Sequence, residues 1–219
     1  MWLDLTQRLG PGIPGSPSVP EPTLEPVKTH ERDGVSVQRY GAVTHVGTHV
    51  DAPRHFVADG ATIDEIPPGR FAGDALVLDL EREEAGEITA RDLEAAEERA
   101  DDEVREGDLL LLRTGWGAKF DDQTEYEAYP WLVGGVEEWL LERGIGLLGV
   151  DTISPDRPRA LRPEGWDEYP IHYGLLENDV LIAEHLDLEA VAGERLEVFG
   201  FPIKLDGGDG APARFVARR

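Results

Sequence analysis

The chain contains several short runs of apolar residues, each bounded by glycine, proline or charged residues. Their composition and their length are typical of β-strands rather than helices. We therefore predict extended segments at residues 2–6, 35–50, 75–80, 108–113, 147–151, 180–184 and 196–204.

Two segments between these runs have the apolar spacing of amphipathic helices. The first follows Thr89, where Thr-x-x-Asp resembles a capping box, and it carries Leu93, Ala96 and Ala100 on one stripe. The second spans residues 134–143, and the glycine that follows should end it. Strands and helices interleave without a repeat period, which predicts a mixed α/β domain.

Residues 10–26 are rich in proline and glycine, which disfavour both a helix and a central strand. Because a strand-like segment precedes them, we interpret them as an ordered loop rather than a disordered leader. Loops of this length often carry function. At 219 residues, the chain is predicted to form one domain that spans residues 1–219.

The formal net charge of −24 comes from 45 acidic residues against 21 lysines and arginines. With so few cations, the chain is not expected to bind nucleic acid or a membrane surface. We interpret the composition as that of a halophilic protein in a salt-rich cytoplasm, where screening weakens the repulsion between carboxylates. The alternative is an ordinary protein with an acidic surface. No secretory signal or membrane span is visible, so a cytoplasmic location is expected.

The chain contains no cysteine, so metal ligands must be histidines or carboxylates. Three of its six histidines, His45, His49 and His55, lie within eleven residues, together with Asp51. This density favours a divalent-metal site over a set of hydrogen-bonded structural histidines.

The spacing of this cluster constrains the backbone. Positions 45, 49, 51 and 55 share one face of an ideal strand, but a straight strand would separate residues 45 and 49 by about 13 Å. That distance is close to the limit for two imidazoles that bind one ion. We therefore predict a bend between them, which Gly47 permits, and an end to strand pairing at Pro53.

The pattern His-x-Gly-Thr-His-x-Asp-x-Pro-x-His at residues 45–55 resembles the signature of the metal-dependent cyclase family, which includes bacterial-type kynurenine formamidases and isatin hydrolases. The similarity extends to the Pro/Gly segment, to residues 112–116 and 149–156, and to His172 followed by Glu184. The resemblance implies a swivelling β/α/β fold with a mixed central sheet and flanking helices. It also implies a homodimer or homotetramer that acts on a small-molecule substrate.

By position in the motif, the resemblance implies that His45, His49 and Asp51 bind a first ion. Asp51 and Glu184 would bridge to a second ion, which His172 would complete. The ligand set therefore implies one or two divalent ions per chain, and it suits Zn²⁺ or Mn²⁺.

The resemblance further implies that His55 is the catalytic acid/base, which passes a proton to the leaving nitrogen. The implied reaction is hydrolysis of an amide-type C–N bond by metal-bound hydroxide, as in the conversion of N-formylkynurenine to kynurenine and formate. By the resemblance, Ile13 stands at a substrate-binding position where the formamidases have a tryptophan. An aliphatic side chain cannot stack on an aromatic substrate as tryptophan can. The alternatives are hydrolysis of a cyclic amide, imide or lactone, and a non-catalytic metal-binding protein.

Four other polar residues are interpreted as structural. His185 should point away from Glu184, because successive residues of a strand face opposite sides. His30 lies among charged residues and should be exposed. Arg113 and Asp151 each end an apolar run and could form an ion pair with each other, with contact to a substrate as the alternative.

Overall fold

The computed structural model describes residues 1–15, 19–166 and 168–219, in which an eight-stranded sheet curls until it closes on itself. The strands are β1 (Trp2–Asp4), β2 (Thr23–Lys28), β3 (Val37–Gly41), β4 (His49–Asp51), β5 (Ala72–Asp79), β6 (Glu87–Ile88), β7 (Leu109–Arg113), β8 (Trp131–Leu132), β9 (Leu147–Val150), β10 (Leu181–Glu184), β11 (Arg195–Pro202) and β12 (Gly210–Arg218). The α-helices are α1 (His30–Asp33), α2 (Ala90–Ala100), α3 (Gln123–Tyr126), α4 (Val136–Glu142) and α5 (Pro170–Glu177).

The order of the strands in the sheet is β1-β12-β11-β5-β7-β9-β10-β4, and β4 also pairs with β12. Seven strands therefore form a closed, barrel-like sheet, and β1 is attached outside it to β12. The neighbours β5, β7, β9 and β10 run parallel, whereas β11, β12 and β4 pair antiparallel. The predicted mixed α/β class is confirmed, with a closed central sheet. The swivelling β/α/β description stays a prediction.

The apolar runs of the sequence are strands buried on both faces. In β5, Ala75 and Val77 belong to the cluster that fills the interior of the closed sheet, together with residues of the other six strands. Leu76 and Leu78 point outward and pack in a second cluster with the apolar stripes of α2, α4 and α5. Because both faces are covered, the parallel strands have almost no polar positions.

Helices α2 and α4 lie where the sequence predicts them. Thr89 caps α2, and its backbone N–H donates to the side chain of Asp92, which completes the capping box. Helix α4 buries Val136, Trp139 and Leu140, and a glycine with positive φ follows its end.

The interpretation of residues 10–26 as a loop is wrong for its last part, because residues 23–26 belong to β2. Among the described residues, this strand pairs with β3 alone in an exposed hairpin, and the register shifts next to Pro26. Proline is tolerated there because a two-stranded hairpin has free edges. Residues 16–18 of the segment lie outside the described residues. Among the residues that the structure describes, no helix has the length and hydrophobicity needed to span a membrane.

Candidate active site

The predicted metal-binding residues meet where β4 and β10 lie side by side. Antiparallel pairing places His49 directly opposite Glu184. Asp51 follows His49 at the spacing that keeps both side chains on one face of the strand. All residues of both strands are buried, so three polar side chains lie together away from solvent.

His45 reaches this cluster through the predicted bend, which is confirmed. Gly47 adopts a positive φ of 58°, and the ring centroids of His45 and His49 lie 5.2 Å apart. A second glycine makes room for the ring: a Cβ on Gly210 would lie 2.7 Å from Cε1 of His45 and 2.8 Å from the carbonyl oxygen of Val50. Only glycine fits there without displacing the histidine or the strand.

Two imidazoles and two carboxylates alternate around the centre of the site. Nε2 of His49 lies 3.3 Å from Oδ1 of Asp51 and 3.4 Å from Oε2 of Glu184. Nε2 of His172, which helix α5 supplies, lies 3.5 Å from Oδ2 of Asp51 and 3.3 Å from Oε1 of Glu184. Each carboxylate therefore contacts both histidines.

Hydrogen bonds on the far side of these rings fix their orientation. Nδ1 of His49 lies 2.8 Å from the carbonyl oxygen of Gly47. Nδ1 of His172 lies 2.6 Å from Oδ2 of Asp156. The carboxylate of Asp156 also accepts hydrogen bonds from the backbone N–H groups of Ile171 and His172. These contacts leave Nε2 of each ring directed at the carboxylates, the arrangement that metal-binding histidines commonly have.

His45 and His55 form the side of the site nearer to solvent. Nδ1 of His45 lies 2.7 Å from Oδ1 of Asp51, and its ring stacks on that of His55 with centroids 3.7 Å apart. Asp209 approaches both rings, at 3.2 Å from Nε2 of His45 and 3.9 Å from Nδ1 of His55. Nothing in the sequence distinguishes Asp209, which lies in a glycine-rich turn.

The expectation that His185 points away from Glu184 is wrong. His185 has a positive φ of 56°, which breaks the alternation of the strand and places its side chain in the wall of the same cavity. Its Nδ1 lies 3.1 Å from the hydroxyl of Tyr126. His30 is exposed, as predicted.

The expected ion pair between Arg113 and Asp151 is also wrong. Arg113 binds Asp79 at 2.8 Å and Glu189 at 2.6 Å. The carboxylate of Asp151 instead accepts the hydroxyl of Thr114 at 2.6 Å and its backbone N–H at 2.9 Å. The two side chains therefore stabilise different loops.

The two central carboxylates have opposite pKa shifts. Burial alone would raise the pKa of Asp51, but contacts with His172, His45 and His49 hold it well below its usual value. Burial raises the pKa of Glu184, and the neighbouring charge of Asp51 raises it further. Because two anions in one buried site repel each other, a cation between them would stabilise both ionised forms.

Four buried polar atoms of the site lie 3.2 to 3.5 Å from an ionisable atom of another side chain but form no hydrogen bond of normal geometry among the described residues: Nε2 of His45, Nε2 of His49, Oδ2 of Asp51 and Oε1 of Glu184. Unpaired buried polar atoms are rare and require an explanation. Ligand atoms of His45, His49 and Asp51 lie within 4.8 Å of one another, and so do those of Asp51, His55 and His172. Imidazole nitrogens and carboxylate oxygens are suitable donors for Zn²⁺ or Mn²⁺, so these residues fit a divalent ion.

The cluster opens into a cavity of about 580 Å³. Its wall includes His55 and three aromatic side chains, Phe56, Tyr129 and Tyr169. Ile13, the predicted substrate-binding residue, does not line this cavity but is buried in a separate apolar cluster. Gly15, two residues further along the chain, does line the cavity. A cavity of this size and composition is typical of a site for a small organic molecule.

Comparison with known proteins assigns a class to this arrangement. The family model described as "Putative cyclase" matches residues 3–157. The chain is 30% identical over 218 residues to the kynurenine formamidase of Bacillus cereus. The matched residues make up 99% of this chain and 97% of that protein.

Two solved structures are also similar. Isatin hydrolase A from Ralstonia solanacearum superposes on this chain with a TM-score of 0.89 and 27% sequence identity. The match covers 99% of this chain and 91% of the isatin hydrolase chain. A predicted metal-dependent hydrolase from Bacillus stearothermophilus superposes with a TM-score of 0.77 and 26% sequence identity, and the match covers 99% of this chain and 97% of that chain. The fold and the site thus define a hydrolase. The chain belongs to the Cyclase family, which confirms the resemblance of residues 45–55.

Proposed function

We propose that this enzyme hydrolyses the C–N bond of N-formyl arylamines, as in the conversion of N-formylkynurenine to kynurenine and formate. The observation that carries the proposal is the set of buried imidazole nitrogens and carboxylate oxygens that form no normal hydrogen bond and lie at the base of a cavity with aromatic walls. The similarity to a kynurenine formamidase over almost the whole chain supports the choice of substrate.

The residues that would hold the metal are those of the alternating cluster. His45, His49 and Asp51 form one group of ligands, and Glu184 and His172 lie against Asp51 in position to hold a second ion. A bound divalent ion supplies Lewis acidity toward the substrate carbonyl and lowers the pKa of water to about 7. We propose Zn²⁺ or Mn²⁺, at one or two ions per chain.

His55 lies in the cavity wall and is proposed to transfer the proton. Burial lowers the pKa of His55 to about 4, so the imidazole is neutral near pH 7 and its free nitrogen can accept a proton from the attacking water. The same nitrogen can then give that proton to the departing arylamine. Phe56 and Tyr169 would pack against the aryl ring of the substrate and exclude water from it.

A second candidate reaction is the opening of a cyclic amide, imide or lactone. The similarity to isatin hydrolase A, at a TM-score of 0.89, favours this alternative, because the same ligand cluster and proton-transfer residue suit a cyclic amide. Reaction at a ring bond produces one product, whereas reaction at a formamide releases formate.

The experiment that separates these functions is an assay of the Zn²⁺- and Mn²⁺-loaded protein against N-formylkynurenine, isatin and simple lactones. Molar KCl in the buffer would suit the proposed halophilic character. We expect the highest kcat/KM for the formamide. Turnover of isatin without turnover of any formamide would favour the second function, and no turnover by fully loaded protein would favour a non-catalytic metal-binding role.

Asp156 offers a test of the proposed ligand role of His172. Asp156→Asn removes the negative charge that orients the imidazole at 2.6 Å, so we expect metal affinity to fall by about 10- to 100-fold. Competition with a chelating dye measures that affinity. Asp59→Asn, which changes an exposed aspartate, is the matched control and should bind metal like the wild type. Equal affinities for all three proteins would count against His172 as a ligand.

A further inference from the structure

The wall of the cavity contains two arginines, Arg159 and Arg162, in a protein whose formal net charge is −24. Neither forms an ion pair with any residue that the structure describes. The buried Arg113, by contrast, contacts Asp79, Glu81 and Glu189. Two cavity arginines without a carboxylate partner in the described chain leave positive charge available to a ligand.

Arg162 is held in a fixed orientation. Its Cζ lies 4.0 Å from the centroid of the Tyr169 ring, and its Nε donates to the carbonyl oxygen of Arg157 at 2.9 Å. Its Nη1 is buried and has no acceptor within the described ranges. A guanidinium stacked on an aromatic ring keeps the donors along its edge free, and that planar edge matches the two oxygens of a carboxylate.

The size of the cavity leaves room for a substrate with a side arm. A bare N-formyl arylamine is much smaller than about 580 Å³, which falls within the range of sites for larger organic ligands. Phe56 and Tyr169 pack near His172, with ring centroids 4.7 Å and 6.0 Å from its ring. Tyr169 therefore connects the metal-ligand cluster to Arg162, so one ligand can contact both.

We propose that Arg162 is a specificity-determining residue that binds a carboxylate on the side arm of the substrate, with Arg159 adding positive potential. The inference rests on the proposed function and narrows its substrate class to aryl amides that carry a carboxylate remote from the scissile bond.

The test compares 4-(2-formamidophenyl)-4-oxobutanoate with its methyl ester, which have the same scissile bond and differ in charge. Wild-type enzyme should prefer the acid. Arg162→Gln should lower the acid-to-ester ratio of kcat/KM by about 10- to 100-fold, mainly through KM for the acid. Arg162→Lys, which keeps the charge but loses the planar fork, should lower the ratio less.

Arg143→Gln is the matched control, because Arg143 also stacks on an aromatic ring, that of Trp139 at 3.5 Å, but lies outside the cavity lining. It should keep the wild-type ratio. The proposal is overturned if Arg162→Gln keeps that ratio, or if both Arg162 variants lose acid and ester turnover equally. If the wild type hydrolyses neither compound, the proposed function fails. Calorimetric binding of acid and ester to the wild type and Arg162→Gln then decides the role of Arg162 by itself.

Discussion

Replacing His55 with alanine should lower kcat for the formamide by about 100- to 10,000-fold while metal content per chain stays at the wild-type value. His55 lines the cavity and stacks on His45, but it lies outside the ring of alternating imidazoles and carboxylates. Its loss should therefore remove proton transfer and leave the central ligands in place. Steady-state kinetics and elemental analysis of the same protein preparation measure the two quantities.

The control for this variant is His30→Ala, which removes an exposed histidine at the start of α1. It should change neither kcat nor metal content. Imidazole added to the assay should restore part of the activity of the His55 variant, because the deleted ring leaves space for it in the cavity wall. Loss of metal together with activity would make His55 a ligand, and retained turnover would remove it from the mechanism.

The sequence predicts the elements that have strong local signals. Strands β5, β7, β9 and β10 are buried on both faces, so their apolar runs are continuous and easy to recognise. Helix α2 has a complete capping box. These features depend on residues that are close in sequence, and the structure confirms them.

Elements whose stability comes from tertiary contacts were missed. Strand β12 buries mostly alanines on its inner face, which gives a weak hydrophobic signal, although it is the strand that closes the sheet. Strand β2 is wholly exposed and has no buried face to read, whereas its partner β3 lies within the extended segment predicted at residues 35–50. Helix α5 begins at Pro170, a favourable first helical residue that could have revealed it.

The residues of the site also differ in whether the sequence alone can reveal them. His45, His49 and Asp51 are close in sequence, and their density alone indicates a metal site. Asp156 and Asp209 act on the site from distant loops, so their proximity depends on the folded chain. The face of His185 was predicted wrongly because strand alternation assumes a negative φ, which that residue does not have.

Asp51 should be the residue whose loss has the largest effect on metal binding. It lies 2.7 Å from His45, 3.3 Å from His49 and 3.5 Å from His172, so it belongs to both proposed ion sites. Asp51→Asn keeps the side-chain volume but removes the charge. We expect metal affinity to fall by more than about 100-fold, which exceeds the loss typical of a residue that only orients a metal ligand. Turnover should fall together with metal affinity.

Thermal unfolding provides a readout of this prediction that does not depend on activity. An ion that binds the native state raises Tm in proportion to the logarithm of its concentration over Kd. Titration with Zn²⁺ or Mn²⁺ should therefore raise the Tm of the wild type and of the exposed-site control Asp59→Asn. It should leave the Tm of Asp51→Asn almost constant over the same concentrations. A metal-dependent increase in Tm of wild-type size in Asp51→Asn would show that the ion binds elsewhere, and the proposed ligand set would then have to be abandoned.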